Sequence, residues 1–248
     1  MNIDYTYQMS LDQFINVENK QTNKLNDRYD QALTKLKECT LVRSNLKKQT
    51  IALEALKLHD SCLEAYLVLG SCANDPHLAL KYFKKGVDKA TITLGKNYFF
   101  KDKKDFYCEE TKLYFKLKTI YAKTLYEVGY MKQALFQFTN IYTYNPNDNE
   151  NIIYYLISTL IYFEKYDKVL ILLEKHDNAY LRCLYYYKQG YLDQASYYLQ
   201  IAKKEDLEIV EQLMSNKRNI EITNDLVRII LKHMAILSYF KEWISLNL

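Results

Sequence analysis

Residues 115–148 read FKLKTIYAKTLYEVGYMKQALFQFTNIYTYNPND, and this stretch decides the fold. It predicts a helix, a short turn, a second helix and a breaker. Ala122 is small where a second helix must cross the first, and a larger side chain there would hold the backbones apart. Gly129 stands where the first helix must end in a left-handed residue, a conformation glycine adopts without steric cost. Ala134 and Phe138, four apart, share one face of the second helix and turn a small and a large residue back toward the first. Pro146, within Asn145-Pro146-Asn147-Asp148, cannot continue the helix, and its Asn and Asp neighbours favour a turn and the cap of a following helix.

The same order of pieces recurs on both sides. From Asp27, apolar residues at Tyr29, Leu33, Leu36, Cys39 and Val42 follow a helical period, and a second helix runs from Asn45 to His59-Asp60. Residues 63–86 place Tyr66 early in a first helix, Leu69-Gly70 at the crossing, Asn74-Asp75-Pro76 in the turn, and Ala79 with Phe83 on the second helix. A longer helix and a charged connector follow to about residue 110. Residues 150–175 give Leu156-Ile157, Tyr166 in the turn, then Val169 and Leu173. Residues 177–202 give Cys183, Gly190, Ala195, Leu199 and Ala202.

A small residue, then Gly, Ala, an aromatic and Pro at these spacings within 34 residues resembles the tetratricopeptide repeat. The departure in the opening stretch is Lys118, which stands where the family has a large aromatic. The resemblance covers about residues 28–202 as four to five degenerate units. The strings AYLVLG, KKGVDKATITLG and YNPNDNENIIYYL are also similar to a mainly bacterial tetratricopeptide family related to the suppression-of-tumorigenicity proteins. The implied fold is all-α, a right-handed superhelix of antiparallel helical hairpins, or α-solenoid. The expected layout is a loosely ordered segment over 1–26, the array over 27–202, and C-terminal helices over 203–248 that cap it. The last helix is expected from Asp225 to about Leu246, with Leu226, Ile230, Met234, Leu237, Phe240 and Ile244 on one apolar face. That stripe is expected to cap the array, with a homodimer seam as its rival use.

Composition narrows the class. With 5 Gly and 2 Pro among 248 residues the chain has too few turn-formers for an all-β protein. The 34 basic and 30 acidic residues leave a net charge of +4 without a long block of one sign. The longest apolar run, 152–163, is shorter than the roughly 20 residues of a membrane span, and the first residues carry acids rather than a basic leader. A cytoplasmic protein with reduced thiols at its 5 Cys is expected.

The residues do not assemble a catalytic, cofactor or metal motif. His59, His77, His176 and His233 lack helix-borne zinc spacing, and the chain has no glycine-rich phosphate loop or Gly-x-Ser-x-Gly. His59-Asp60 and His176-Asp177 fall at helix ends, where His can satisfy terminal carbonyls. The expectation is no enzyme, no cofactor and no metal. A single-stranded RNA reading rests on Tyr185-Tyr186-Tyr187-Lys188, whose rings could stack bases; the modest pI of about 8.5 stands against it. The resemblance implies a protein or extended-peptide partner in a concave groove lined by the first helices. Carried onto this sequence, the groove is Lys116, Lys123, Tyr126, Tyr154, Ser158, Tyr162, Tyr180, Tyr187 and Lys188. Tyr154 and Tyr180 stand where a carboxylate clamp would need Lys, so a groove of Tyr for apolar or acidic side chains is expected instead. A second functional class is a regulatory sensor responding to a peptide, though no DNA-binding helix-turn-helix accompanies it.

Overall fold

The computed structural model describes residues 27–95, 109–146, 151–214, 224–237 and 239–247. The expectations for the start of the chain, for most of the charged connector and for Asn147-Asp148 lie outside these residues. The described residues are helical, with no strand among them. The chain divides into two compact units, residues 1–130 and 131–248. The division falls between the two helices of the 115–148 stretch and so cuts across the array expected over 27–202.

The first unit holds α1 (Asp27–Lys37), α2 (Asn45–Leu58), α3 (Leu63–Ser71), α4 (Pro76–Leu94) and α5 (Glu109–Val128). Neighbours pack as pairs, and alternate helices α1, α3 and α5 also meet. Capping explains the starts. The Ser44 hydroxyl accepts from the Lys47 amide, and the Asp75 carboxylate accepts from the amides of His77 and Leu78 ahead of α4, with Pro76 at its first position. Small residues set the crossing of α3 and α4: a Cβ added at Gly70 would stand 2.2 Å from the Phe83 ring. Ala32, Leu36, Ala52, Ala55, Ala65 and Leu69 form the core beside it.

The second unit holds α6 (Met131–Tyr144), α7 (Ile152–Tyr162), α8 (Tyr166–Lys175), α9 (Ala179–Lys188), α10 (Leu192–Glu205), α11 (Leu207–Met214), α12 (Asp225–Ile236) and α13 (Phe240–Asn247). Here α6 packs on α7, α7 on α8, α9 on α10, and α7 meets α9. Two corrections concern its end. The single helix expected from Asp225 is two helices, because Tyr239 takes a left-handed φ of 63° just before α13. The buried face of this region is Val227, Ile229, Ile230, His233, Phe240 and Ile244, so Leu226, Met234 and Leu237 lie off it.

One turn geometry recurs at the ends of α5, α7 and α9. After α5 the Gly129 amide donates to the Tyr126 carbonyl and the Tyr130 amide to Leu125. After α9 the Gly190 amide donates to Tyr187 and the Tyr191 amide to Tyr186. After α7 the Glu164 amide donates to Ile161 and the Lys165 amide to Leu160. Each is the paired-bond helix ending that requires a left-handed residue, and φ is 93° at Gly129, 83° at Gly190 and 56° at Glu164. The sequence reading put Tyr166 in the α7–α8 turn and missed Glu164, because a glutamate carries no signal for that conformation. Five residues after each turn residue comes a fully buried small side chain, Ala134, Val169 or Ala195, and nine after it a buried large one, Phe138, Leu173 or Leu199.

Candidate functional site

The nine residues expected to line a groove do not form one exposed surface. In the first unit Tyr126 is 0 % exposed and Lys123 is buried, so both belong to the core side of α5, while Lys116 is half-buried. Lys118, the departure from the repeat pattern, is buried as well. Its Nζ donates to the Tyr114 hydroxyl at 2.8 Å and lies 5.1 Å from that ring's centre. Burial pushes its pKa down to about 8. The lysine stem therefore lies in apolar space inside the unit.

In the second unit Ser158 is fully buried and Tyr180 nearly so, its hydroxyl donating to the Asp206 carbonyl at 3.1 Å. Tyr154 is half-buried and Tyr162 is exposed. Lys188 pairs with Glu164 at 3.2 Å. Tyr187 packs its ring 4.4 Å from Phe240 and 4.9 Å from Trp243. Ser158, Tyr180 and Tyr187 thus make internal contacts, and sequence spacing cannot reveal which later segment meets each: α12 at Ser158, Asp206 at Tyr180 and α13 at Tyr187.

Of these, α12 packs on both α7 and α9. Asn224 caps it by accepting from the Leu226 amide at 2.9 Å. At its first turn the Asp225 carboxylate accepts from the Tyr155 hydroxyl at 2.7 Å and from the Asn151 side-chain amide at 3.5 Å. Two turns on, the His233 Nε2 meets the Ser158 hydroxyl at 2.8 Å. Between these polar ties Val227, Ile229 and Ile230 are buried, each contributing about 1.5–3 kcal/mol through lost apolar exposure. α13 continues the cover over α10, where the Gln200 amide donates to the Asn247 carbonyl at 2.7 Å and the Ser196 hydroxyl to the Asn247 side chain at 3.3 Å.

His233 is the electrostatic weak point of this interface. Burial pushes its pKa down to about 3, and the nearby Lys188 and Lys232 charges push the same way. The imidazole is therefore neutral and tied to Ser158. Asp225, Asn151, His233 and Trp243 were missed as components of the site, although a His three residues after Ile230 in an apolar stripe was a visible oddity.

The remaining chemistry is structural in placement. Tyr186 stacks on Tyr198 at 5.4 Å, Tyr185 is buried, and Tyr187 lies against Phe240 and Trp243, so the tyrosine run spends its ring faces inside the unit. His59 and His176 end α2 and α8 through their backbone amides, which donate to Ala55 and Leu172. Their rings make tertiary contacts instead of capping carbonyls: His59 meets the Tyr29 ring edge-on at 5.2 Å, and His176 Nε2 meets the Tyr142 hydroxyl at 3.0 Å. Among the described residues no helix is long and apolar enough to cross a membrane, and no three His, Cys, Asp or Glu side chains gather as metal ligands. Compared with known proteins, the chain matches no family model, no curated protein and no solved structure.

Proposed function

We propose that this chain is a non-catalytic scaffold that binds another protein or an extended peptide through stacked helical hairpins of the tetratricopeptide kind, wound as a right-handed superhelix. The observation that carries the reading is the repeated hairpin ending. Three turns share the same paired hydrogen bonds, and each is followed at equal spacing by a buried small and a buried large residue. Repetition of one supersecondary unit is the hallmark of arrays whose exposed faces serve recognition.

The peptide-responsive version of this reading draws on a separate observation. In the second unit the first helices α7 and α9 are covered by α12 of the same chain, which suits a binding face subject to competition. The RNA alternative gains nothing from Tyr185–Tyr187, whose rings are engaged internally.

The test uses the full chain as bait in extract from its native host, beside the same chain carrying Ala195→Phe, which overpacks the α9–α10 hairpin. The expected result is a protein retained by the wild type, cross-linked to array residues, and retained several-fold less by the variant. Equal retention by both chains, or cross-links confined to residues outside 27–202, would overturn the reading.

A further inference from the structure

The outward sides of α6, α8 and α10 repeat in the same register as their buried sides. Seven residues after the left-handed turn residues Gly129, Glu164 and Gly190 come Phe136 on α6, Ile171 on α8 and Tyr197 on α10, and these are 62 %, 66 % and 63 % exposed. Single exposed apolar residues are ordinary on a protein surface. Three large ones at one register of three successive second helices, all in the second unit, form a row. Side-chain contacts tie the helices that carry it to one another. The Tyr142 hydroxyl of α6 meets the His176 ring at the end of α8, and Arg182 donates to the Leu173 carbonyl of α8 while lying 5.5 Å from the Tyr198 ring of α10.

The charges around Ile171 say what the row meets. Asp167 and Lys168 precede it by four and three residues, and Glu174 and Lys175 follow it by three and four. All four are exposed, and none forms an ion pair among the described residues. When two copies of α8 cross antiparallel at Ile171, Asp167 of one copy faces Lys175 of the other and Lys168 faces Glu174, each pair occurring twice. A parallel crossing would set each charge against its own kind. The antiparallel operation also sets Lys132 opposite Asn140 on α6 and Asp193 opposite Ile201 on α10, so no like charges meet on the flanking helices.

We propose that Phe136, Ile171 and Tyr197 form the seam of a homodimer whose two-fold axis runs along the row, each of the three packing on its own counterpart. This rests on the stacked-hairpin reading, adds a second copy of the chain to its partners and leaves the first helices to a foreign one. The seam is small. Three helices about 10 Å apart, each in reach over about 15 Å, give roughly 450 Å² per copy and about 900 Å² in total, the size of a reversible interface. Association is therefore expected at about 1–100 µM, with the apolar row supplying the contact and the ion pairs its register.

Sedimentation velocity on the purified full chain, from about 1 to 200 µM, tests the seam. The wild type is expected to pass from monomer to dimer over this range. Ile171→Glu brings two carboxylates together at the axis and should weaken association at least about tenfold, with an unchanged circular dichroism melt because the side chain is exposed. Asp167→Lys and Lys175→Asp each set like charges opposite one another, so each alone should dimerise several-fold less. Mixed in equal amounts they should recover the wild-type dimer, because the two introduced charges then face each other and the native Asp167 of one chain faces the native Lys175 of the other.

A wild type that stays monomeric at about 200 µM overturns the proposal. So does a dimer untouched by Ile171→Glu, which places the seam elsewhere, or a mixture no more associated than its components, which removes the antiparallel register. A foreign protein retained from extract by a monomeric wild type and released by Ile171→Glu would itself be the occupant and would overturn the second copy. Because the dimer is read on purified chain, its absence leaves the scaffold reading untouched; equal retention by wild type and Ala195→Phe in extract overturns that reading while the sedimentation result stands.

Discussion

Lowering the pH should loosen the second unit through one residue, His233. Its folded-state pKa of about 3 lies below the ordinary histidine value of 6.5, so the unfolded chain binds the proton first. Stability from this group is fully present above the unfolded value and is lost as pH falls toward the folded one. At about 1.36 kcal/mol per pH unit, the drop from pH 7 to pH 5 removes about 2 kcal/mol, and pH 4 removes about 3 kcal/mol. Among the groups facing the imidazole, Ser158 favours the charged form through its hydrogen bond, but burial and the Lys188 and Lys232 charges outweigh it. In the first unit the half-buried Glu64 carboxyl is pushed up by desolvation and works in the opposite sense, favouring the folded state as pH falls. The assay must therefore report on the second unit. The chain has one tryptophan, Trp243, and it lies against Tyr187 and Phe240. Urea melts followed by its selectively excited fluorescence at pH 7 and pH 5 read the required interface. His233→Gln keeps a hydrogen-bonding side chain and removes the titration; it should begin about 1 kcal/mol lower at pH 7 through imperfect packing, and lose about 2 kcal/mol less than wild type on acidification. Equal losses in the two proteins would refute the assignment of His233 as a neutral buried group.

Other consequences can be checked by melting alone. Glu164→Gly should stabilise by about 0.5–1 kcal/mol, because relief of the left-handed penalty of about 1–2 kcal/mol outweighs added chain entropy and a mostly exposed ion pair with Lys188; destabilisation in high salt would mean the α7 ending is wrong. Gly70→Ala should cost about 1–3 kcal/mol by driving a methyl into the Phe83 ring, more than the roughly 1 kcal/mol of helix propensity it gains, and Phe83→Leu in the same chain should recover much of the loss. Ala134→Phe should cost about 1–3 kcal/mol or more, since the alanine is wholly buried; an unchanged denaturation midpoint would exclude the tight packing described for α6.

The helices were legible because their signals are local. Pro76, Ser44, Asp75 and Asn224 announce starts, Gly129 and Gly190 announce ends, and apolar period fills the interval. Glu164 escaped notice because its conformation is imposed by the paired hydrogen bonds of the turn, against the preference of the residue. The candidate groove was misread for a different reason. Ser158, Tyr180 and Tyr187 lie on α7 and α9, yet whether such positions face solvent depends on where the chain folds back, at Asp206 for Tyr180 and over 225–247 for Ser158 and Tyr187, contacts that span from 26 to 75 positions and that no local period encodes. Lys123 and Tyr126 show the same limit, since polarity at helical spacing does not distinguish a solvated face from a core that accommodates a lysine stem.

On the array reading proposed above, the seating of α11 and α13 against α10 would make the end of the second unit a terminator in the sense of polymer growth. In a one-dimensional array each hairpin is both a support for the previous one and a template for the next. Here the templating surface of the last hairpin is already used: the Gln200 and Ser196 side chains are tied to Asn247, and Ile244 and Phe240 are buried. A further hairpin spliced in after residue 202 would inherit a neighbour only if this tail moved along with it. Residues 205–247 can therefore be regarded as a portable stop, and transplanting them behind the final hairpin of a longer array would close its growing face with the same contacts.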